Sequence, residues 1–121
     1  MLILYLNAQS IISKMDELAS CVSEVGPDLI LICETWCQPD ITAAFLQLPG
    51  YELIPDLRKD REDTVNGVGG GLLVYARNGL VVLKCDTGCV FNQHCSFKVM
   101  TEKDQLNITL VYCPPPLGPH L

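Results

Sequence analysis

The feature that most constrains the fold is an unbroken apolar run, Leu29, Ile30, Leu31, Ile32 and Cys33, closed on either side by Asp28 and Glu34. A strand with no polar side must be covered on both faces, as parallel strands beneath helices are. Upstream, between Ser10 and Val25, the residues Ile11, Met15, Leu18, Val22 and Val25 recur at alternating steps of four and three, which predicts one stripe of an α-helix. Gly26 and Pro27 end that helix, because glycine tolerates the left-handed conformation past the last turn and proline cannot continue it. Its start falls at Ser10 or Ser13, either of which can cap it, and Ser13 has Asp16 three residues on. Before the helix, Leu2–Leu6 form a short apolar segment that stops on Asn7. Strand, amphipathic helix and buried strand make a βαβ unit with a right-handed crossover, so both strands end on the same edge. That edge carries Asn7 and Glu34 together.

Ligands in open α/β sheets bind outside the carboxyl ends of the strands. A carboxylate beside a carboxamide at such an edge suits a hard divalent cation such as Mg²⁺, which takes oxygen ligands and keeps several waters. Polar residues also emerge at strand ends without any ligand, so the two positions alone leave the question open.

Further along, Asp40 is placed to cap a short helix through Leu48, Pro49-Gly50 makes a turn, and Tyr51–Pro55 starts another extended segment. Residues 58–67 read as an exposed loop. Glycines then lead into Leu72–Ala76, an Asn78-Gly79 turn and Leu80–Lys84, which predicts a β-hairpin over residues 71–84. Two more strands are expected, at Cys95–Met100 and Leu106–Cys113. The closing segment, residues 114–121, is a proline-rich irregular tail.

Several functional classes are weakened by composition. With 8 Lys+Arg against 14 Asp+Glu and a formal charge of −6, the chain lacks the footprint of a protein that holds DNA by phosphate contacts alone. Arg58, Lys59 and Arg61 are the one dense basic cluster, and by themselves read as a solvated loop. The glycines of residues 67–71 fail the dinucleotide pattern, since Leu72 stands where a third glycine belongs, and they precede a strand instead of a helix. Seven cysteines, an odd number inside or beside apolar runs, fit small hydrophobes in a reducing, intracellular compartment. Cys85, Cys89, Cys95 and His94 lack the paired spacing of a zinc site. No apolar run reaches the roughly 18 residues that span a bilayer, so no membrane association is expected.

The motifs LNAQS, LILICETW, GGGLLVYAR and ITLVYCPP, in that order, resemble the amino-terminal half of the endonuclease/exonuclease/phosphatase superfamily. LNAQSI with a following K-x-D-E-L helix, ETW, LPGYELI, RKDR and GGGLLVY more narrowly resemble the apurinic-type endonuclease domain of LINE-like, non-LTR retrotransposons. The resemblance implies a four-layered α/β sandwich, of which residues 1–113 would be the first part: a mixed sheet with flanking helices. It implies cleavage of phosphodiester bonds with Mg²⁺ or Mn²⁺, with DNA as substrate and nuclear action. Asn7 matches the asparagine that orders the metal and phosphate site, Glu34 the glutamate that binds the cation, and Tyr112 the tyrosine that hydrogen-bonds the scissile phosphate. Trp36 is typical of the retrotransposon branch.

The family's second half supplies a G-D-F-N segment that orients the nucleophile and an S-D-H segment whose histidine contacts phosphate. Neither occurs in these 121 residues. The expectation is therefore the amino-terminal fragment of a DNA endonuclease, inactive alone, with DNA met through the complete domain and with the second half of the domain or a reverse transcriptase in the same polypeptide as partner. Two alternatives are a catalytically dead remnant acting as an interaction module, and an RNA or small-molecule phosphodiesterase or phosphatase. A further expectation is an exposed apolar sheet face, because the second sheet that covers it in the family would be missing.

Overall fold

The βαβ expectation is met in the first 33 residues. In a computed structural model that describes residues 1–64 and 67–113, Ile3–Asn7 (β1) pairs in parallel with Leu29–Cys33 (β2), placing Asn7 opposite Cys33. Every residue of β2 is buried. The connecting helix, Met15–Val25 (α1), ends at Gly26, whose φ of 62° is left-handed and whose amide donates to the Val22 carbonyl. Leu18 and Val22 face the sheet, with Met15 beside them, while Val25 is exposed.

The helix begins later than its apolar stripe predicts, and neither Ser10 nor Ser13 caps it. Residues 10 and 11 give their amides to the carbonyls of Glu34 and Thr35 (3.0 Å each), which holds this stretch against the turn after β2. Ile11 still reaches the core, from a turn. Lys14 occupies the N-cap position with no side-chain cap, and its Nζ returns to the carbonyls of Ala8 (2.6 Å) and Gln9 (3.2 Å).

The predicted hairpin is two strands in different sheets. Leu72–Arg77 (β6) pairs antiparallel with β2 on one side and with Tyr51–Leu53 (β3) on the other, so both of its edges are taken. After the turn at Gly79 (φ 97°) the chain cannot fold back along β6. It crosses instead to a three-stranded antiparallel sheet, Val81–Cys85 (β7), His94–Met100 (β8) and Gln105–Val111 (β9), in that order. The first sheet has the order β1-β2-β6-β3. Residues 40–48 form successive turns in place of a helix: the Thr42 hydroxyl takes the Phe45 amide (3.3 Å), and Leu46 and Leu48 plug the core. The segment expected as an exposed loop is anchored, with Lys59 bridged to Leu72 and Glu62–Thr64 (β4) paired with Gly67–Gly69 (β5).

Two apolar layers result. Helix α1 and the 40–48 turns cover one face of the mixed sheet. The other face packs through Leu29, Leu31, Leu72 and Val74 against Phe97, Val99 and Leu110 of the antiparallel sheet. The expectation of an uncovered face is corrected here, because β7–β9 supply a second sheet. Only its margin stays open: on β1, Ile3 is 40% and Tyr5 57% exposed. The architecture is a mixed sheet plus an antiparallel sheet with one α-helix among the described residues, α/β only in a loose sense. No helix among the described residues is long and apolar enough to cross a membrane. The tail at 114–121 lies outside the described residues.

One ion pair ties β1, the α1–β2 connection and β6 at the far end of the sheet. Asp28 accepts from the Leu2 amide (2.8 Å) and from Arg77 Nε (3.2 Å). The Leu2 hydrogen bond, then Arg77, hold the Asp28 carboxyl below its ordinary 3.8. A carboxyl depressed on folding stabilises the protein fully above the unfolded pKa and loses that contribution as pH falls through the folded one. Asp28→Asn is expected to cost under about 1 kcal/mol at neutral pH, since the pair is half-exposed. Thermal melts should show this difference shrinking below the ordinary carboxyl range; a difference that grew on acidification would contradict it.

Candidate functional site

The parallel pairing of β1 and β2 and the antiparallel start of β6 bring four segments to one edge of the mixed sheet. Asn7 and Glu34 follow from β1 and β2, Gly70 and Gly71 precede β6, and Lys59 is bridged to Leu72 beyond them. The backbone is strained here. Gln9 (φ 45°), Ser10 (φ 79°), Glu34 (φ 55°) and Trp36 (φ 57°) are non-glycine residues in the left-handed region, and no others with positive φ occur among the described residues. Such outliers cost roughly 1–3 kcal/mol each and cluster where a site over-determines its own geometry.

Glu34 is held from two directions. Its Oε1 accepts a short hydrogen bond from Tyr112 Oη and a longer one, 3.4 Å, from the Gly70 amide. Gly69 lies beside the carboxylate: a Cβ there would make an ordinary 3.6 Å contact with Oε1. The turn after Glu34 is fixed by the Thr35 and Trp36 amides, which donate to the carbonyls of Gly71 (3.3 Å) and Gly70 (3.0 Å). Tyr112, just past β9, reaches Glu34 across the gap between the sheets, although 78 positions separate them in sequence. Its ring packs against the inter-sheet core beside Ile108, and its hydroxyl leaves that core for the carboxylate. Burial, then the Glu34 contact, push the Tyr112 phenol up, so it stays protonated and donating throughout the neutral range.

Asn7 shares a face of β1 with Tyr5, whose hydroxyl lies 3.0 Å from Cys33 Sγ. Among the described residues no hydrogen bond engages the exposed Asn7 carboxamide or Oε2 of the half-buried Glu34, so both retain oxygen lone pairs. This donor set fits a hard divalent cation that keeps most of its waters. Among the described residues no three His, Cys, Asp or Glu side chains converge, so Glu34 supplies the carboxylate without a second acidic ligand.

Trp36 is half-buried, and its indole Nε1 is fully buried without a partner among the described residues. The basic cluster is engaged with protein groups: Arg58 Nε pairs with Asp60 (2.7 Å) and its NH2 group with the Gln38 carbonyl (2.9 Å), while the Arg61 amide donates to the Cys37 carbonyl (2.8 Å). Cys33, Cys37 and Cys95 are buried, and burial pushes the Cys37 thiol up and the Cys95 thiol to about 11. These behave as small apolar side chains.

Asn7 and Glu34 share one edge, as the βαβ pattern predicts, whereas Tyr112 is identified only through a resemblance. The support for Glu34 from Gly70, and the residue that holds Gly71, had no signal in periodicity or spacing. Comparison with known proteins found no matching family model and no matching curated protein.

Proposed function

We propose that this chain carries the cation-binding and phosphate-facing part of a phosphodiesterase site, as the amino-terminal portion of a Mg²⁺- or Mn²⁺-dependent DNA endonuclease of the LINE-like retrotransposon type. The observation that carries this reading is the contact between Tyr112 and Glu34, two residues from different sheets that meet at a strained strand edge beside Asn7. The two face-to-face sheets and the helix on the outer face are also what the first layers of a four-layered α/β sandwich require.

In this reading Glu34 Oε2 and Asn7 hold the cation, and a bound divalent ion supplies stabilisation of charge on the phosphate. Tyr112 orients the carboxylate through Oε1, and an arriving phosphate oxygen would compete for the same phenolic proton. Gly70 links Trp36 and Glu34, its carbonyl accepting from the Trp36 amide and its amide donating to Glu34 Oε1. Hydrolysis also needs a group that positions and deprotonates water, typically worth about 10² to 10⁴ in rate. The G-D-F-N and S-D-H segments that would provide it do not occur in these residues.

The partner that fits is further chain of the same domain. Among the described residues β1 and β9 are edge strands, each paired on one side, and Ile3, Tyr5 and Leu106 are exposed beside them. Added strands would pair these edges and cover that margin.

A plasmid-nicking assay with Mg²⁺ tests the proposal, using a polypeptide extended through a G-D-F-N and S-D-H half. The extended polypeptide is expected to nick, and Glu34→Ala to slow it by about 10³-fold, the several kcal/mol that cation stabilisation is worth. Nicking that ignores the substitution would sink the assignment.

A further inference from the structure

The connection between β7 and β8 is exposed at Val90, Phe91 and Asn92, yet the next residue, Gln93, is only 7% exposed. Both ends of its side chain are used. Oε1 accepts from the Gly71 amide (2.7 Å), and Nε2 donates to the Asp60 carbonyl (3.0 Å). An amide N–H on one side and a carbonyl on the other admit one orientation of the carboxamide. Its backbone carbonyl accepts from the Tyr112 amide (2.9 Å). The glycine is matched to it, since a Cβ at Gly70 would approach the Gln93 carboxamide to 3.1 Å.

Gln93 thus joins three segments distant in sequence: the basic stretch at Asp60, the glycines before β6, and the end of β9. The glycines in turn hold the Glu34 turn through the Thr35 and Trp36 amides. Tyr112 leaves the Gln93 carbonyl to reach the Glu34 carboxylate. Gln93 therefore stands at the junction of both supports of the Glu34–Tyr112 pair and, through these bonds, links them without acting on the carboxylate itself.

We infer that Gln93 is a positioning residue, a three-way clamp that sets the distance between the Glu34 turn and Tyr112. Its importance for a cation site rests on the function proposed above; the clamp itself does not. Two substitutions separate its contacts. Gln93→Glu keeps an acceptor for the Gly71 amide and loses the donor to Asp60, whereas Gln93→Met loses both at similar size.

The test is amide hydrogen exchange on the 121-residue chain, followed by Mn²⁺ titration of the same samples. Gln93→Met is expected to raise exchange about tenfold or more at Gly71, Arg61 and Tyr112, with the β2 amides of Ile30 and Ile32 unchanged. Gln93→Glu is expected to keep Gly71 protected while Arg61 exchanges faster. Unchanged exchange in both variants, or an equal rise across β2 and β6, would overturn the clamp. In the second arm, Gln93→Met is expected to weaken Mn²⁺ binding about tenfold, as loss of an outer support does. If the unsubstituted chain binds no Mn²⁺, the cation reading fails, and the exchange pattern alone decides the clamp.

Discussion

Gly71→Ala is expected to destabilise the protein by about 2 to 6 kcal/mol, combining overpacking of about 1–3 with backbone strain of about 1–3. A Cβ at this position would lie 2.2 Å from Thr35 Oγ1 and 3.1 Å from the Trp36 amide nitrogen. Thr35 is fully buried and its hydroxyl accepts from the Cys37 amide (3.3 Å), so it has no open direction in which to retreat. The glycine φ of 100° adds strain for any L side chain. Gly79→Ala is the control, because its φ of 97° imposes similar strain while nothing lies within 4 Å of the added Cβ. Urea unfolding should therefore place Gly71→Ala well below Gly79→Ala. Equal midpoints would mean that the close packing of the Glu34 turn on the glycines is not a constraint.

The second large effect concerns Glu34. Glu34→Ala is expected to reduce Mn²⁺ affinity about 100-fold or more, since loss of a partner that merely supports a ligand already costs about 10–100-fold. Tyr112→Phe should fall near the lower end of that range, because it removes the hydroxyl that orients Oε1 and leaves the carboxylate in place. Stability should fall as well for alanine. Removing the carboxylate relieves no strain at a left-handed φ of 55°, and it leaves the Gly70 amide and the Tyr112 hydroxyl without their shared acceptor. Isothermal titration separates the two substitutions; equal, small losses for both would show that the cation binds elsewhere.

The parts of the fold legible from residues alone were those where burial is dictated locally. An apolar run as continuous as Leu29–Cys33 has few ways to be satisfied, and the stripe from Met15 to Val22 supplies the cover. The same local logic failed where tertiary pairing decided. Asn78-Gly79 is a hairpin signal, yet β6 had no free edge to pair with, so the following strand joined another sheet. Residues 10–14 continue the helical pattern, but hydrogen bonds to the Glu34 turn draw their backbone away. Asn7 and Glu34 reached the same edge because a right-handed parallel crossover allows little else. Tyr112 carried no such signal, and only a resemblance distinguished it from its apolar neighbours. Gln93 was invisible for a different reason: a single polar residue in a polar loop has no periodicity, and its three partners lie at positions 60, 71 and 112.

The proposed function requires that the Asn7–Glu34 edge accept a divalent cation with Tyr112 as its support. Paramagnetic broadening by Mn²⁺ in the amide spectrum of the chain tests it most directly, because the effect maps the bound ion residue by residue. Saturable broadening centred on Asn7, Glu34 and Gly70, displaced by Mg²⁺ and lost in Glu34→Ala, is the expected result. Broadening centred on the exposed acidic residues Glu102 and Asp104, or none that saturates, would contradict it.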